Sequence, residues 1–342
     1  MIKFQWHLTN KCNFRCKHCY QDDYVDDGVD FSMQKFFLEK MKKFAEHFNK
    51  KNNVHAHINF TGGEPFLKKD FLHLLNETNE KRIFTYGILS NGYLLSEKKL
   101  LLLKKLKPKF IQISLEGGKE MNDYIRGKGS FEKITKALKT YSKLKINVII
   151  SFTANSNNYK EFPEVVRIAR KYKVLNVWTD RYLPQNKSDN LTMNNKQTKE
   201  FFEIILKEQK KIKFYFFSHT KVVSNRALQF LVCGGMPYRC SAGDTLMAFM
   251  PNGDIFPCRR LPIKVGNLKK DNLIEVYKNN IFLKKLRNYK KFAKNCHNCH
   301  YKITCNGGLR CLAYAKYKNI DKKDPNCWIF EKLKKIKILD VF

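Results

Sequence analysis

Three thiols fall within eight positions near the start of the chain, in "KCNFRCKHCY" (11–20): Cys12, Cys16 and Cys19, spaced C-x3-C-x2-C. Thiolates are ligands for soft metals and for iron–sulfur clusters. A four-iron cluster takes four ligands, so three thiolates leave one iron open to a further ligand. Zinc would instead close its tetrahedron with a fourth Cys or His, and His18 is at hand. Taken alone, the loop leaves both readings open. A second feature lies in "NFTGGEP" (59–65). Adjacent Gly62 and Gly63 let a backbone come close to a ligand, and Glu64 offers a carboxylate to a cationic group. The other eight cysteines wait until after residue 230: Cys233, Cys240, Cys258, Cys296, Cys299, Cys305, Cys311 and Cys327. Eleven is odd, so a pure disulfide framework would leave one over.

To act together these residues must be positioned by regular elements. "IKFQWHL" (2–8) predicts a strand, with the three-cysteine loop directly after it, and "HAHINF" (55–60) predicts the strand that ends in GGE. Further strands are expected at 82–89, 109–115, 146–154 and 174–180. Helices are expected at 32–48, 68–79, 96–106, 130–144 and 159–172, with Ser32 and Ser130 as N-caps. Strands alternating with helices imply an α/β fold with a parallel sheet and outer helices. Six β/α units over residues 1–182 suit a partial (β/α)6 barrel, whose chemistry sits on loops after the C-terminal strand ends. Residues 183–232 read as a turn-rich linker and bridging helices near 196–212 and 219–231. Over 233–328 apolar periodicity weakens and Cys, Gly and Pro become frequent, as in a small domain organised by metal. Within it, 245–258 predicts a hairpin turning at Asn252-Gly253, and 271–290 a helix. A basic tail, 329–342, closes the chain.

The 342 residues carry 66 Lys and Arg against 31 Asp and Glu, a formal charge of +35. The surplus is spread along the chain without a dense block, which reads as a solvated face. A nucleic-acid-binding iron–sulfur protein rests on charge alone, and would show steep salt dependence. No apolar run of 18 residues and no secretory signal are present, so no membrane span is expected. A cytoplasmic chain keeps its thiols reduced, which points the cysteines to metal or redox chemistry.

The C-x3-C-x2-C loop after the first strand and GGEP after the second resemble the radical S-adenosylmethionine (SAM) enzymes. The resemblance implies a [4Fe–4S] cluster on Cys12, Cys16 and Cys19 whose open iron chelates SAM. Cleavage of SAM would yield a 5′-deoxyadenosyl radical that abstracts hydrogen from an unactivated carbon. By the same resemblance Gly62, Gly63 and Glu64 hold the SAM amino group and His18 sits beside the adenine. Asn91 in "LSNGY" and Ser114 in "QISLEG" match strand ends lining the ribose, and Arg126 in "NDYIRGKGSFEK" takes the SAM carboxylate. Ordinary turn and cap roles are the alternative for Asn91, Ser114 and Arg126. Cys240 and Cys258 in C-x12-G-x4-C, then Cys296, Cys299 and Cys305 in C-x2-C-x5-C, resemble a C-terminal SPASM domain with two auxiliary [4Fe–4S] clusters. Mapped by order, Cys233, Cys240, Cys258 and Cys311 hold the first, and Cys296, Cys299, Cys305 and Cys327 the second. Three clusters then use all eleven thiols. The chain departs from the family at "CNGGLRC", where Leu309 stands in place of a cysteine and the thiol falls at Cys311. A zinc ribbon over 296–311 is the alternative.

Radical SAM enzymes with SPASM domains mostly modify peptides or proteins, and others assemble haem-type cofactors. Sulfatase maturases carry an Asp directly after the cysteine of G-x4-C, where this chain has Arg259. Radical epimerases of this class commonly need a free cysteine, and a full ligand set leaves none. The expectation is therefore oxidative cross-linking of a ribosomally made peptide through a thioether or carbon–carbon bond. A small-molecule or haem-type cofactor synthase and a peptide epimerase are the alternatives. An electron donor such as flavodoxin or ferredoxin is implied. The chain starts almost directly with its first strand, so a separate leader-peptide-binding protein, or the basic surface, is expected to present the peptide. "TDRYLPQN" (179–186) leaves the last barrel strand, placing Asp180 to face substrate, with a strand-end salt bridge as the competing reading.

Overall fold

The computed structural model describes residues 1–25, 29–52, 56–185, 189–211, 220–288 and 293–329. The basic tail from 330 onward lies outside the described residues. Six parallel strands pair in chain order: β1 (Ile2–His7), β2 (Ala56–Thr61), β3 (Phe84–Ser90), β4 (Phe110–Ser114), β5 (Val148–Ala154) and β6 (Asn176–Arg181). Helices α1 (Phe31–Asn52), α2 (Phe71–Glu80), α3 (Glu97–Leu106), α4 (Lys119–Arg126), α5 (Ser130–Leu144) and α6 (Phe162–Lys171) fall between them. This is the incomplete barrel expected from the alternation.

The sheet extends past both edges of those six strands. After α7 (Asn195–Lys211), β7 (Lys221–Val223) adds in parallel to β6, where the sequence reads as a helix near 219–231; among the described residues of that stretch only α8 (Phe230–Cys233) is helical. A three-residue strand has no period to detect. At the other edge β8 (Leu246–Phe249) pairs parallel with β1, and β9 (Asp254–Phe256) turns back antiparallel to it. This is the hairpin expected at 245–258, with Gly253 at φ 89° in its turn. β10 (Gly266–Asn267) completes a ten-stranded sheet. The helix expected over 271–290 is two, α9 (Leu273–Asn279) and α10 (Ile281–Arg287), because Asn280 breaks the run and caps the second helix. Its Oδ1 accepts from Phe282 N and Leu283 N. α11 (Arg310–Tyr317) follows.

Two caps differ from expectation. Asp30, not Ser32, caps α1, accepting from Met33 N at 2.8 Å. At α5 the carboxylate of Asp123, from α4, accepts from Gly129 N, Phe131 N and the Ser130 hydroxyl. Each acid is a stronger acceptor than the serine beside it, and Asp123 lies too far upstream for a local capping pattern to reveal.

Alternate residues of each strand face opposite ways. One face is apolar and wholly buried: Phe4, Ile58, Phe60, Ile88, Ile111 and Ile150. Edge-on aromatic pairs such as Phe4–Phe44 and Phe60–Phe71 lock it to the helices. The opposite, inner face is polar. His57 bonds Thr85 at 2.8 Å and Asn59 at 3.1 Å, and Trp178 donates to Gln112 at 3.1 Å. A closed eight-stranded barrel fills its inside with branched apolar side chains. This one keeps hydrogen-bonding surface there.

Candidate active site

The three-cysteine loop leaves β1 and is fastened to the GGE turn after β2. Gly63 N donates to Thr9 O and Glu64 N to Lys11 O, both at 2.8 Å. A Cβ on Gly62 (φ 152°) would stand 2.5 Å from Thr9 O, and one on Gly63 2.2 Å from Lys11 O. The close approach these glycines permit is to the loop carrying Cys12. Glu64 is fully buried. Its Oε1 accepts from the Ser90 hydroxyl at 2.9 Å and Phe66 N at 3.2 Å, and its Oε2 from Asn91 N at 2.8 Å. Asn91 in turn donates to Asn13 Oδ1 at 2.8 Å and faces Cys12 Sγ at 3.9 Å. Glu64 and Asn91 thus brace the loop from the strand ends.

Burial pushes the Glu64 carboxyl up to about 7, against the pull of its hydrogen bonds from Asn91, Ser90 and Phe66. The native state therefore holds the Glu64 proton more tightly than the unfolded chain. Its contribution to stability is complete below about 4.5 and is lost as pH rises through about 7. In SAM-free protein, melting curves of wild type and Glu64→Gln are expected to diverge over that window, with the wild type losing ground as pH rises. Parallel pH profiles would contradict this.

On its other side the loop docks on α4, Lys17 N donating to Ile125 O at 2.9 Å. Arg126 is buried and gives Glu116 Oε1 two hydrogen bonds, at 3.0 and 3.3 Å. Glu116, also fully buried, accepts from Thr153 N at 2.9 Å and lies 3.5 Å from His18 Nε2. Burial lowers the His18 pKa, and the Glu116 charge opposes that. Burial pushes the Cys16 thiol up to about 11, with the Arg126 charge pulling it down. Ser114 accepts from the Ser151 hydroxyl at 3.3 Å. Glu116 joins His18 to Arg126 and was not singled out from sequence; the acid ending "SLEG" after a strand was the signal for it.

The later thiols form two neighbourhoods. Burial pushes Cys258 up to about 11 and Cys311 up to about 12; Cys240 adds to both, Cys258 adds to Cys311, and Arg260 opposes the rise in each. Cys233 has other partners, the Phe202 carbonyl at 3.5 Å and the Ser224 hydroxyl. Cys296, Cys299, Cys305 and Cys327 line a single cavity with Phe230 and Tyr301. Burial raises Cys296 to about 11 and Cys305 to about 12. All eleven are free thiols. Free thiols gathered on one loop and around one cavity are soft donors of the kind iron–sulfur clusters take, so the donor set fits iron–sulfur ligation. Among the described residues no three Cys, His, Asp or Glu side chains close around one ion. A four-iron cluster sets its thiols further apart, one to each iron.

Two ion pairs at the end of β6 tie barrel to cysteine-rich region. Asp180 accepts from Arg260 and lies 3.9 Å from Arg226. Burial pushes the Asp180 carboxyl up, but the Arg260 and Arg226 charges outweigh it and hold it below the usual range. Arg181 grips both carboxylate oxygens of Asp324, at 2.9 and 2.6 Å. The competing reading of "TDRY" as strand-end salt bridges describes both residues.

Residues 6–169 match the Radical SAM superfamily, and residues 240–300 match the SPASM iron–sulfur cluster-binding domain. The chain belongs to the radical SAM superfamily, as an enzyme with a SPASM domain behind its barrel. Among curated relatives it is 22% identical over 356 residues to Fe-coproporphyrin III synthase of Methanosarcina barkeri, covering 95% of this chain and 87% of that one. It is 24% identical over 353 residues to mycofactocin maturase MftC of Mycobacterium tuberculosis, covering 95% and 82%. In fold it resembles Streptococcus suis SuiB bound to S-adenosylmethionine, with a TM-score of 0.77 at 18% identity over 96% of this chain and 77% of that one. SuiB bound to precursor peptide SuiA gives 0.73 at 18% identity, over 94% and 74%. Among the described residues no helix is long and apolar enough to cross a membrane.

Proposed function

We propose that this enzyme cleaves SAM at Cys12, Cys16 and Cys19 and oxidatively cross-links a ribosomally made peptide, through a thioether or carbon–carbon bond. Cluster and SAM, when bound, supply a radical that abstracts hydrogen from an unreactive carbon. The chain's own part is positioning. Gly62 and Gly63 seat the cysteine loop, Glu64 and Asn91 brace it, and the Glu116–Arg126 pair carries His18 toward the adenine side. The observation that carries the oxidative reading is the cavity lined by Cys296, Cys299, Cys305 and Cys327. Four thiols seat a closed cluster with no position for substrate, which suits electron transfer. Removing two hydrogens needs such an acceptor for the second electron. Peptide substrates are supported by the likeness to MftC and to SuiB with its precursor peptide. A flavodoxin- or ferredoxin-type donor and a separate leader-binding protein complete the reading.

A second reading, synthesis of a haem-type cofactor, is supported by the likeness to Fe-coproporphyrin III synthase across 95% of the chain. Anaerobic co-expression with each small open reading frame beside the gene separates the two. Peptides are weighed by high-resolution mass spectrometry from normal and heavy water. Loss of two hydrogens is the expected result. Deuterium uptake without mass change in normal water would mean epimerisation, with Cys233 the thiol outside the cluster sets. No change in any peptide would favour the cofactor synthase.

A further inference from the structure

Near the end of β1 stands a guanidinium whose buried donor is unmatched among the described residues. Arg259 directly follows Cys258, and its guanidinium lies 5.0 Å over the ring of Tyr20, which directly follows Cys19. The Arg259 Nε is buried and, among the described residues, donates to nothing. His7, at the end of β1, feels the Arg259 charge, and its buried Nε2 likewise has no partner among the described residues. Arg226 lies 4.6 Å over the Trp178 ring, and its buried Nε makes no hydrogen bond, only a 3.9 Å ion pair with Asp180. The carboxylate facing these groups, Asp180, is already engaged by Arg260, and Arg181 is matched by Asp324. Buried donors left unmatched are costly, and a guanidinium is the group that planar carboxylates satisfy in a bidentate way.

We infer that Arg259, assisted by Arg226, binds a carboxylate of the substrate on the inner face of the barrel, beside the SAM loop. The inference rests on the barrel interior being the substrate site, but not on cross-linking, since a peptide carboxylate and a porphyrin propionate present the same anion.

The test uses the anaerobically reconstituted holoenzyme with SAM. Dissociation constants for N-acetylphenylalanine and its uncharged amide are measured by equilibrium dialysis. The same comparison is made for coproporphyrin III and its tetramethyl ester. Wild type is expected to prefer the free carboxylate by about tenfold or more in one arm, and that arm names the source. Arg259→Gln is expected to abolish the preference, Arg259→Lys to keep part of it, and Arg226→Gln to weaken it. Iron content and the electron paramagnetic resonance spectrum of the reduced auxiliary clusters should stay unchanged in Arg259→Gln. No carboxylate preference in either arm would overturn the inference, as would a preference that survives Arg259→Gln. So would an altered auxiliary-cluster spectrum, which would make Arg259 a donor to cluster sulfur. A retained preference with no peptide product in the co-expression experiment would sink cross-linking and leave this site standing.

Discussion

Gly63→Ala is expected to abolish SAM cleavage as completely as Cys12→Ala. The added methyl would sit 2.2 Å from Lys11 O and 2.6 Å from Asn10 O. Both obstacles are backbone, so no rotamer change relieves them. The loop must lift, and the two 2.8 Å hydrogen bonds that fasten it, to Thr9 O and Lys11 O, are strained with it. Cys12 lies one residue beyond Lys11, so the displacement falls directly on a ligand. Cys12→Ala removes that ligand and leaves the packing. Both variants should keep about eight of about twelve irons, in the two auxiliary sets, while 5′-deoxyadenosine formation falls to background. Iron analysis and product chromatography under reducing anaerobic conditions check this. Full SAM cleavage by Gly63→Ala would show that the GGE turn does not hold the loop. Loss of all iron from Cys12→Ala would refute the division into three clusters.

Much of the barrel was legible because its signals are local. Each of the six strands is a short run of strand-forming residues, and the longer helices between them carry their own period. The ten-stranded sheet was not legible, since β8 pairs with β1 across some 240 residues and β7 is three residues long. The cysteine spacing pointed to the SAM loop, but not to what the glycines touch, because that contact joins two loops about 50 residues apart. The caps show the same limit. Asp123 acts from a different helix, so the serine at the start of α5 took the role in the sequence and donates in the structure. Counting cysteines gives eleven ligands for three clusters, whereas space gathers Cys240, Cys258 and Cys311 and gives Cys233 other company. Arg126 and Glu64 were matched to SAM by motif. Both first serve the protein, one bonded to Glu116 and the other to Ser90 and Asn91.

Asp324→Ala is expected to destabilise the fold and empty both auxiliary sets. Its carboxylate is fully buried, and the Arg181 guanidinium that it binds is nearly so. Removing one partner of a buried pair strands the other charge, at a cost of about 3–5 kcal/mol. The carboxylate has further duties. It accepts from Leu309 N at 3.1 Å and from Asn326 N at 3.0 Å. Leu309 opens α11, which carries Cys311, and Asn326 precedes Cys327. One acid therefore fixes the approach to a thiol of each later set, and holds both to the end of β6. The variant should melt well below wild type and bind about four irons, those of the SAM loop. Arg181→Met combined with Asp324→Leu separates the two roles. An apolar pair of similar volume removes the stranded charge, so much of the stability should return. The amides of Leu309 and Asn326 still lack their acceptor, so the auxiliary iron should not. Unchanged melting and full iron in Asp324→Ala would mean that the pair is a bystander. Full iron in the double variant would place its whole effect in the charge rather than in the loops that Asp324 shapes.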